Sequence, residues 1–122
     1  MTLASLDRME VYCDIKRLND MVKKMTKWLP SGSQNGLIGK IRVSANAIPV
    51  TLEEGWDQAD GPRLYKALSS SYEMLSELQD NIRSCRSSLF FSKKQSTDLL
   101  LKIDQVKQSI TWYQSTFYKR TD

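Results

Sequence analysis

Residues 37–56 read LIGKIRVSANAIPVTLEEGW, and they hold both the most regular pattern in the chain and its oddest local choice. Leu37, Ile41, Ala45, Ile48 and Leu52 recur at helical spacing, so one face of a helix is apolar along its whole length. Pro49 lies inside that pattern. A proline in a free helix lacks a backbone donor and clashes with the preceding turn, at about 3 kcal/mol. Tertiary packing therefore has to hold a kinked helix together here. The segment is expected to be the second, central helix of a bundle.

The flanking sequence supplies three partners. Residues 4–28 predict a first helix, with Ile15, Leu18, Val22, Met25 and Leu29 in 3-4 alternation and Asp7 and Glu10 near the positive end of its dipole. It stops before Pro30, and SGSQNG, residues 31–36, forms a polar connection to the second helix at 36–57. Asp60 is placed to cap a third helix, 61–88, with Pro62 tolerated in its first turn. That helix carries the cleanest seam: Leu64, Leu68, Ser71, Leu75, Leu78, Ile82, Cys85 and Leu89. After LeuPhePhe, Ser92 and Gln95 make a Ser-x-x-Gln capping box for a fourth helix, 93–119, whose seam is Leu99, Ile103, Val106, Ile110, Tyr113 and Phe117. Helices of similar length with short links must alternate in direction. The expected fold is all-α, an up-down-up-down antiparallel four-helix bundle filling one domain over residues 1–122.

Composition narrows the function classes. Hydrophobic residues at 40% and charged residues at 26% suit a globular chain and exclude wholesale disorder. With only 5 Gly and 3 Pro, turn-formers are scarce and cluster at 30–39 and 55–62. No apolar run approaches the roughly 18 residues of a membrane span, and no signal core follows the N-terminus, so a cytoplasmic protein without membrane contact is expected. Cys13 and Cys85 lack metal-ligand spacing and read as free structural thiols. The chain has no His, no Gly-rich phosphate loop and no Cys–His or Ser–His pair, so no catalytic residue, metal or cofactor is expected. Glu53 and Glu54 oppose the dipole of the second helix and read as paired with a neighbouring cation or turn donor; an acid–base or metal role for them is the remote alternative.

Net charge is +4, and bundle topology decides where it falls. Residues 21–45 and 81–97 come to one end and hold Lys23, Lys24, Lys27, Lys40, Arg42, Arg83, Arg86, Lys93 and Lys94, with no Asp or Glu. The other end carries four basic residues, Arg8, Arg63, Lys119 and Arg120, against eight acidic ones, Asp7, Glu10, Asp14, Glu53, Glu54, Asp57, Asp60 and Asp122. Helix dipoles account for cations at the ends of helices one and three, but not for Lys40, Arg42, Lys93 and Lys94 near positive N-termini. The expectation is a phosphate-binding or acidic-partner surface that positions RNA or DNA without reading its sequence. Solvated helix faces with an uneven run of charge are the plainer reading. A second apolar strip, Val43, Ala47 and Val50 with Met21, Trp28, Trp56 and Trp112, lies off the main seams and points to a homo-oligomer.

The run at residues 41–56, IRVSANAIPVTLEEGW, resembles the four-helix-bundle family first found encoded in intervening sequences of bacterial large-subunit ribosomal RNA genes. That family also includes the accessory variability proteins of diversity-generating retroelements. Gly36, Leu37, Ile41, Arg42, Ala45, Ile48, Pro49, Glu54 and Gly55 match its usual run, G-L-T-S-Q-I-R-R-A-A-x-S-I-P-x-N-I-A-E-G, and Glu77 and Leu78 match a later Glu-Leu pair. Pro30 matches the proline before the second helix. Within the motif, Ile48, Pro49, Glu54 and Gly55 read as structural. Three departures stand out: Thr51 for the usual Asn, Ala47 for the usual Ser, and Glu73-Met74 for the Gly-Ser of helix three. The resemblance implies a non-enzymatic helical protein, in some members a pentameric barrel. In the retroelement branch it implies a partner of a reverse transcriptase during mutagenic complementary-DNA synthesis. A structural or protein-interaction module without nucleic-acid binding is the alternative.

Overall fold

The computed structural model describes residues 9–33, 36–56, 61–85 and 91–118, with side chains to 115. Four helices fill these segments: α1 (Glu10–Thr26), α2 (Leu37–Trp56), α3 (Gly61–Cys85) and α4 (Lys93–Tyr118), and no strand occurs among the described residues. Neighbours pack in the ring α1–α2–α3–α4, closed by α1 against α4. Cross-helix contacts fix their directions. Tyr12 near the start of α1 bonds Glu53 near the end of α2, while Thr26 at the end of α1 bonds Arg42 near the start of α2. On the other side Gln79 bonds Asp104 and Ser69 bonds Gln114, so α3 and α4 are also antiparallel. The architecture is a four-helix bundle.

Each helix begins and ends for local reasons. Helical backbone angles persist through Lys27, and Pro30 then follows, a residue that disfavours helix in the one before it. Gly36 takes φ +86, a left-handed conformation that side-chain-bearing residues disfavour, and turns the chain into α2. The Ser92–Gln95 capping box forms reciprocally: Gln95 N–H donates to Ser92 Oγ and Ser92 N–H to Gln95 Oε1, both at 3.0 Å. Pro62 sits in the first turn of α3 as expected; the proposed cap Asp60 lies outside the described residues, as do Leu89, Arg86 and residues 4–8.

The four seams meet in one core. Ile15, Leu18 and Val22 face Ile41, Ala45, Ile48 and Leu52, and the α3 seam from Leu64 to Cys85 and the α4 residues Leu99, Ile103, Val106 and Ile110 close the other half. Met25, Leu29 and Tyr113 lie half-buried at its rim. Burial pushes both the Cys85 thiol and the Tyr113 phenol up from their usual pKa. One expectation is corrected here. Trp56 belongs to the core at 6% exposure, because it follows Leu52 by one turn on the buried face.

The unusual features of α2 have packing explanations. Helix continues through Pro49, whose ring is buried; the hydrogen bond it cannot make is the one to the carbonyl of Ala45. Gly55 is buried where α3 approaches: a Cβ there would stand 2.5 Å from Ala67 Cβ and 3.2 Å from Arg63 O. Two of the departures from the family run, Thr51 and Met74, meet. Thr51 Oγ1 donates to Ala47 O at 3.0 Å and lies 3.5 Å from Met74 Sδ across the α2–α3 contact.

Candidate nucleic-acid interface

Antiparallel packing sets the end of α1, the start of α2, the end of α3 and the start of α4 at one pole. The Lys102–Asp14 pair at 3.3 Å fixes the level of α4 against α1. An equal step forward along α1 and back along α4 brings Lys23 level with Lys93. Lys23 and Lys24 fill the last turn of α1 and Lys27 is its C-cap, where cations complement the partial negative charge of the helix end. Lys23, Lys24, Lys27, Lys40 and Lys93 are all exposed, and none makes an ion pair among the described residues. Lys27 Nζ lies 5.0 Å from the ring centroid of Trp28.

Arg42 is different. Its guanidinium reaches from α2 into the open end of α1, where Nη2 donates to the carbonyls of Thr26 and Leu29, the latter at 2.6 Å. Nε donates to Thr26 Oγ1 at 3.0 Å and Nη1 to Ser31 Oγ at 3.2 Å. Thr26 Oγ1 in turn donates to Val22 O at 2.8 Å. A cation near the positive start of one helix is thus accounted for by the negative end of its antiparallel neighbour. Arg42 serves as a helix cap, and its charge is already committed.

Arg83 and Lys94 have partners too. Asp80 lies 3.5 Å from Arg83 and Asp98 lies 2.9 Å from Lys94, both on the same helix as the cation they meet. These carboxylates stand just outside the acid-free windows, and their i,i+3 and i,i+4 spacing is a signal that sequence alone contains. Exposed pairs of this kind are worth about 0–1 kcal/mol, so either cation is readily recruited by a competing anion. Arg86 lies outside the described residues.

The acidic end is quieter. Glu53 accepts a hydrogen bond from Tyr12 Oη at 3.1 Å, a phenol on α1 in place of the expected cation or turn donor, and Glu54 is exposed. No group of three His, Cys, Asp or Glu side chains among the described residues could hold a metal ion. Of the motif residues, Ile48, Pro49 and Gly55 are core and Glu54 is surface. Val43 and Val50 line the outer face of α2 at 70% and 46% exposure, with Ala47 half-buried between them.

Other polar contacts depend on cross-helix register, which no local spacing contains. Asn19 Nδ2 donates to Asn46 Oδ1 at 3.3 Å between α1 and α2. Gln79 donates to Asp104 at 2.6 Å and accepts from Lys107 at 2.9 Å, and Lys107 also lies over the ring of Tyr72. Among the described residues no helix is long and apolar enough to cross a membrane.

Fold and charge together define an all-helical bundle protein with one cationic pole, built around a proline-containing second helix. The chain belongs to the 23S rRNA-intervening sequence protein family, a sequence model of which matches residues 7–111. No curated protein matches it.

Proposed function

We propose that this chain is a non-enzymatic, oligomeric accessory protein that holds RNA or DNA by phosphate contacts at its basic pole. The observation carrying this reading is the set of five exposed lysines that make no ion pair among the described residues, Lys23, Lys24, Lys27, Lys40 and Lys93, drawn from three helices to one end. Exposed cations that neutralise phosphates release the counterions condensed on the nucleic acid, and the affinity then falls with salt. Five such contacts lower it about 100-fold on a single strand and about 500-fold on duplex DNA between 50 and 200 mM salt. Arg83 and Lys94 add to the surface once displaced from Asp80 and Asp98, and Arg42 supports it from beneath as a cap. Exposed Val43 and Val50, with half-buried Ala47 between them, support self-association through α2, and a pentamer is the assembly that the family resemblance suggests. The same resemblance makes a diversity-generating retroelement reverse transcriptase the enzyme partner.

The test replaces Lys23, Lys24 and Lys27 together with Glu. Retention of RNA and DNA at low salt is expected to vanish while the helical circular-dichroism signal stays; unchanged retention removes the proposal. Light scattering reads the second element, with Val43→Glu expected to reduce the particle mass. A structural or protein-interaction module is the second reading. It is favoured by the prior engagement of Arg42, Arg83 and Lys94, and it predicts salt-independent, negligible filter binding.

A further inference from the structure

Trp28 is 85% exposed, more than any other large hydrophobic side chain described, and it stands at the basic pole. Its backbone is pinned on both sides. Thr26 before it is buried and its carbonyl accepts from Arg42, while Leu29 after it donates to Thr26 O at 3.0 Å and accepts from Arg42 at 2.6 Å. The indole is therefore displayed from a fixed corner of the fold, which removes much of the ordering cost of engaging a ligand. Because Lys27 keeps helical backbone angles, Lys24 lies one turn before Trp28 on the same side. Lys27 covers part of the ring at 5.0 Å. An exposed cation–π contact is worth about 0.5–1 kcal/mol, which is far less than burying an indole would return.

We infer that Trp28 is a stacking platform for an unpaired base, making the basic pole selective for single-stranded over double-stranded nucleic acid. This rests on the phosphate-binding reading of that pole and adds to it. Bases in a duplex are already stacked and present only their edges, so Trp28 finds no partner there. In a single strand every base has an open face, and flanking phosphates come within reach of Lys24 and Lys27. An anionic membrane surface fits less well. Insertion needs several apolar groups, whereas Leu29, Leu37 and Met25 near this end pack back onto the core.

The test uses the full chain, a labelled oligothymidylate and a mixed-sequence duplex of equal length, read by fluorescence anisotropy. Trp28→Ala is expected to weaken single-strand binding by about 10-fold or more, to leave duplex binding within about twofold, and to keep the salt slope. Trp28→Phe is expected to recover much of the loss. In a Trp112→Phe background, where Trp56 is buried, oligothymidylate is expected to quench the emission of Trp28. Equal single-strand binding by Trp28→Ala and the parent chain, or equal weakening on both ligands, overturns the stacking role while leaving the basic pole intact. Failure of the parent chain to bind either ligand overturns the phosphate-binding reading and the stacking role with it. Blue-shifted Trp28 emission on phosphatidylserine vesicles without quenching by oligothymidylate assigns the residue to a membrane and also overturns it.

Discussion

Replacing Gly55 with Ala tests the close approach of α2 and α3. The added methyl would lie 2.5 Å from Ala67 Cβ, 3.2 Å from Arg63 O and 3.6 Å from Leu64 Cα. Carbon pairs rest at about 3.5–4.0 Å, so α2 and α3 have to part by about 1 Å. Neither a Cβ atom nor a backbone carbonyl can swing aside as a long side chain would. Overpacking of this kind destabilises by about 1–3 kcal/mol. Against it stands the gain of about 1 kcal/mol for Ala over Gly within a helix, reduced here because Gly55 is next to the last residue of α2. The net expectation is a loss of about 1–2 kcal/mol. Unfolding entropy of about 2.1 cal/mol/K per residue over 122 residues converts this to a Tm lower by about 4–8 °C. Thermal and urea unfolding followed by circular dichroism measure it. Adding Ala67→Gly to Gly55→Ala is expected to recover part of the loss, and Gly32→Ala, which meets nothing within 4 Å, to stay within about 0.5 kcal/mol of the parent. A Gly55→Ala protein as stable as its parent would refute the steric argument, since propensity alone would then be deciding the outcome.

Three further outcomes follow from named contacts. Arg42→Lys is expected to lose about 1.5–3 kcal/mol in urea unfolding, because an ammonium cannot span the acceptors on Thr26, Leu29 and Ser31 that the planar guanidinium reaches. Ser92→Ala breaks the reciprocal cap and is expected to cost about 1 kcal/mol, read as a lower urea midpoint with an unchanged slope. Burial raises the Cys85 pKa, so its contribution to stability is complete below the unfolded thiol pKa and is lost as pH climbs from there through the folded one. Urea midpoints measured at rising alkaline pH should accordingly fall less steeply in Cys85→Ala, and a thiol reagent should label Cys13 before Cys85.

The helices were legible because their seams repeat at helical period and the turn-formers fall between them. The run from Leu64 to Cys85 and the Ser92–Gln95 box needed no tertiary information. Trp56, expected off the main seams, continues the Ile48–Leu52 row one turn beyond Leu52 and is buried with it, a signal that the spacing itself contains. The acid-free windows predict a cationic pole, but the roles within it depend on three-dimensional neighbours. Nothing local says that Arg42 bends into the end of another helix, whereas Asp80 and Asp98 could have been paired with Arg83 and Lys94 from spacing alone. Trp28 stood out as lying off the seam; that it projects beside Lys27 on a pinned corner follows from the turn between α1 and α2.

The contact joining Ala47, Thr51 and Met74 bears on how this chain can exchange parts with its relatives. A hydroxyl turned back onto its own helix leaves an unbranched thioether to fill the gap from α3, so the two helices are matched as lock and wedge. Transplanting either helix by itself from a relative with other residues at positions 51 and 74 would break that contact between the helices. In chimeras Thr51 and Met74, whose side chains meet between the two helices, are the pair to be carried over together.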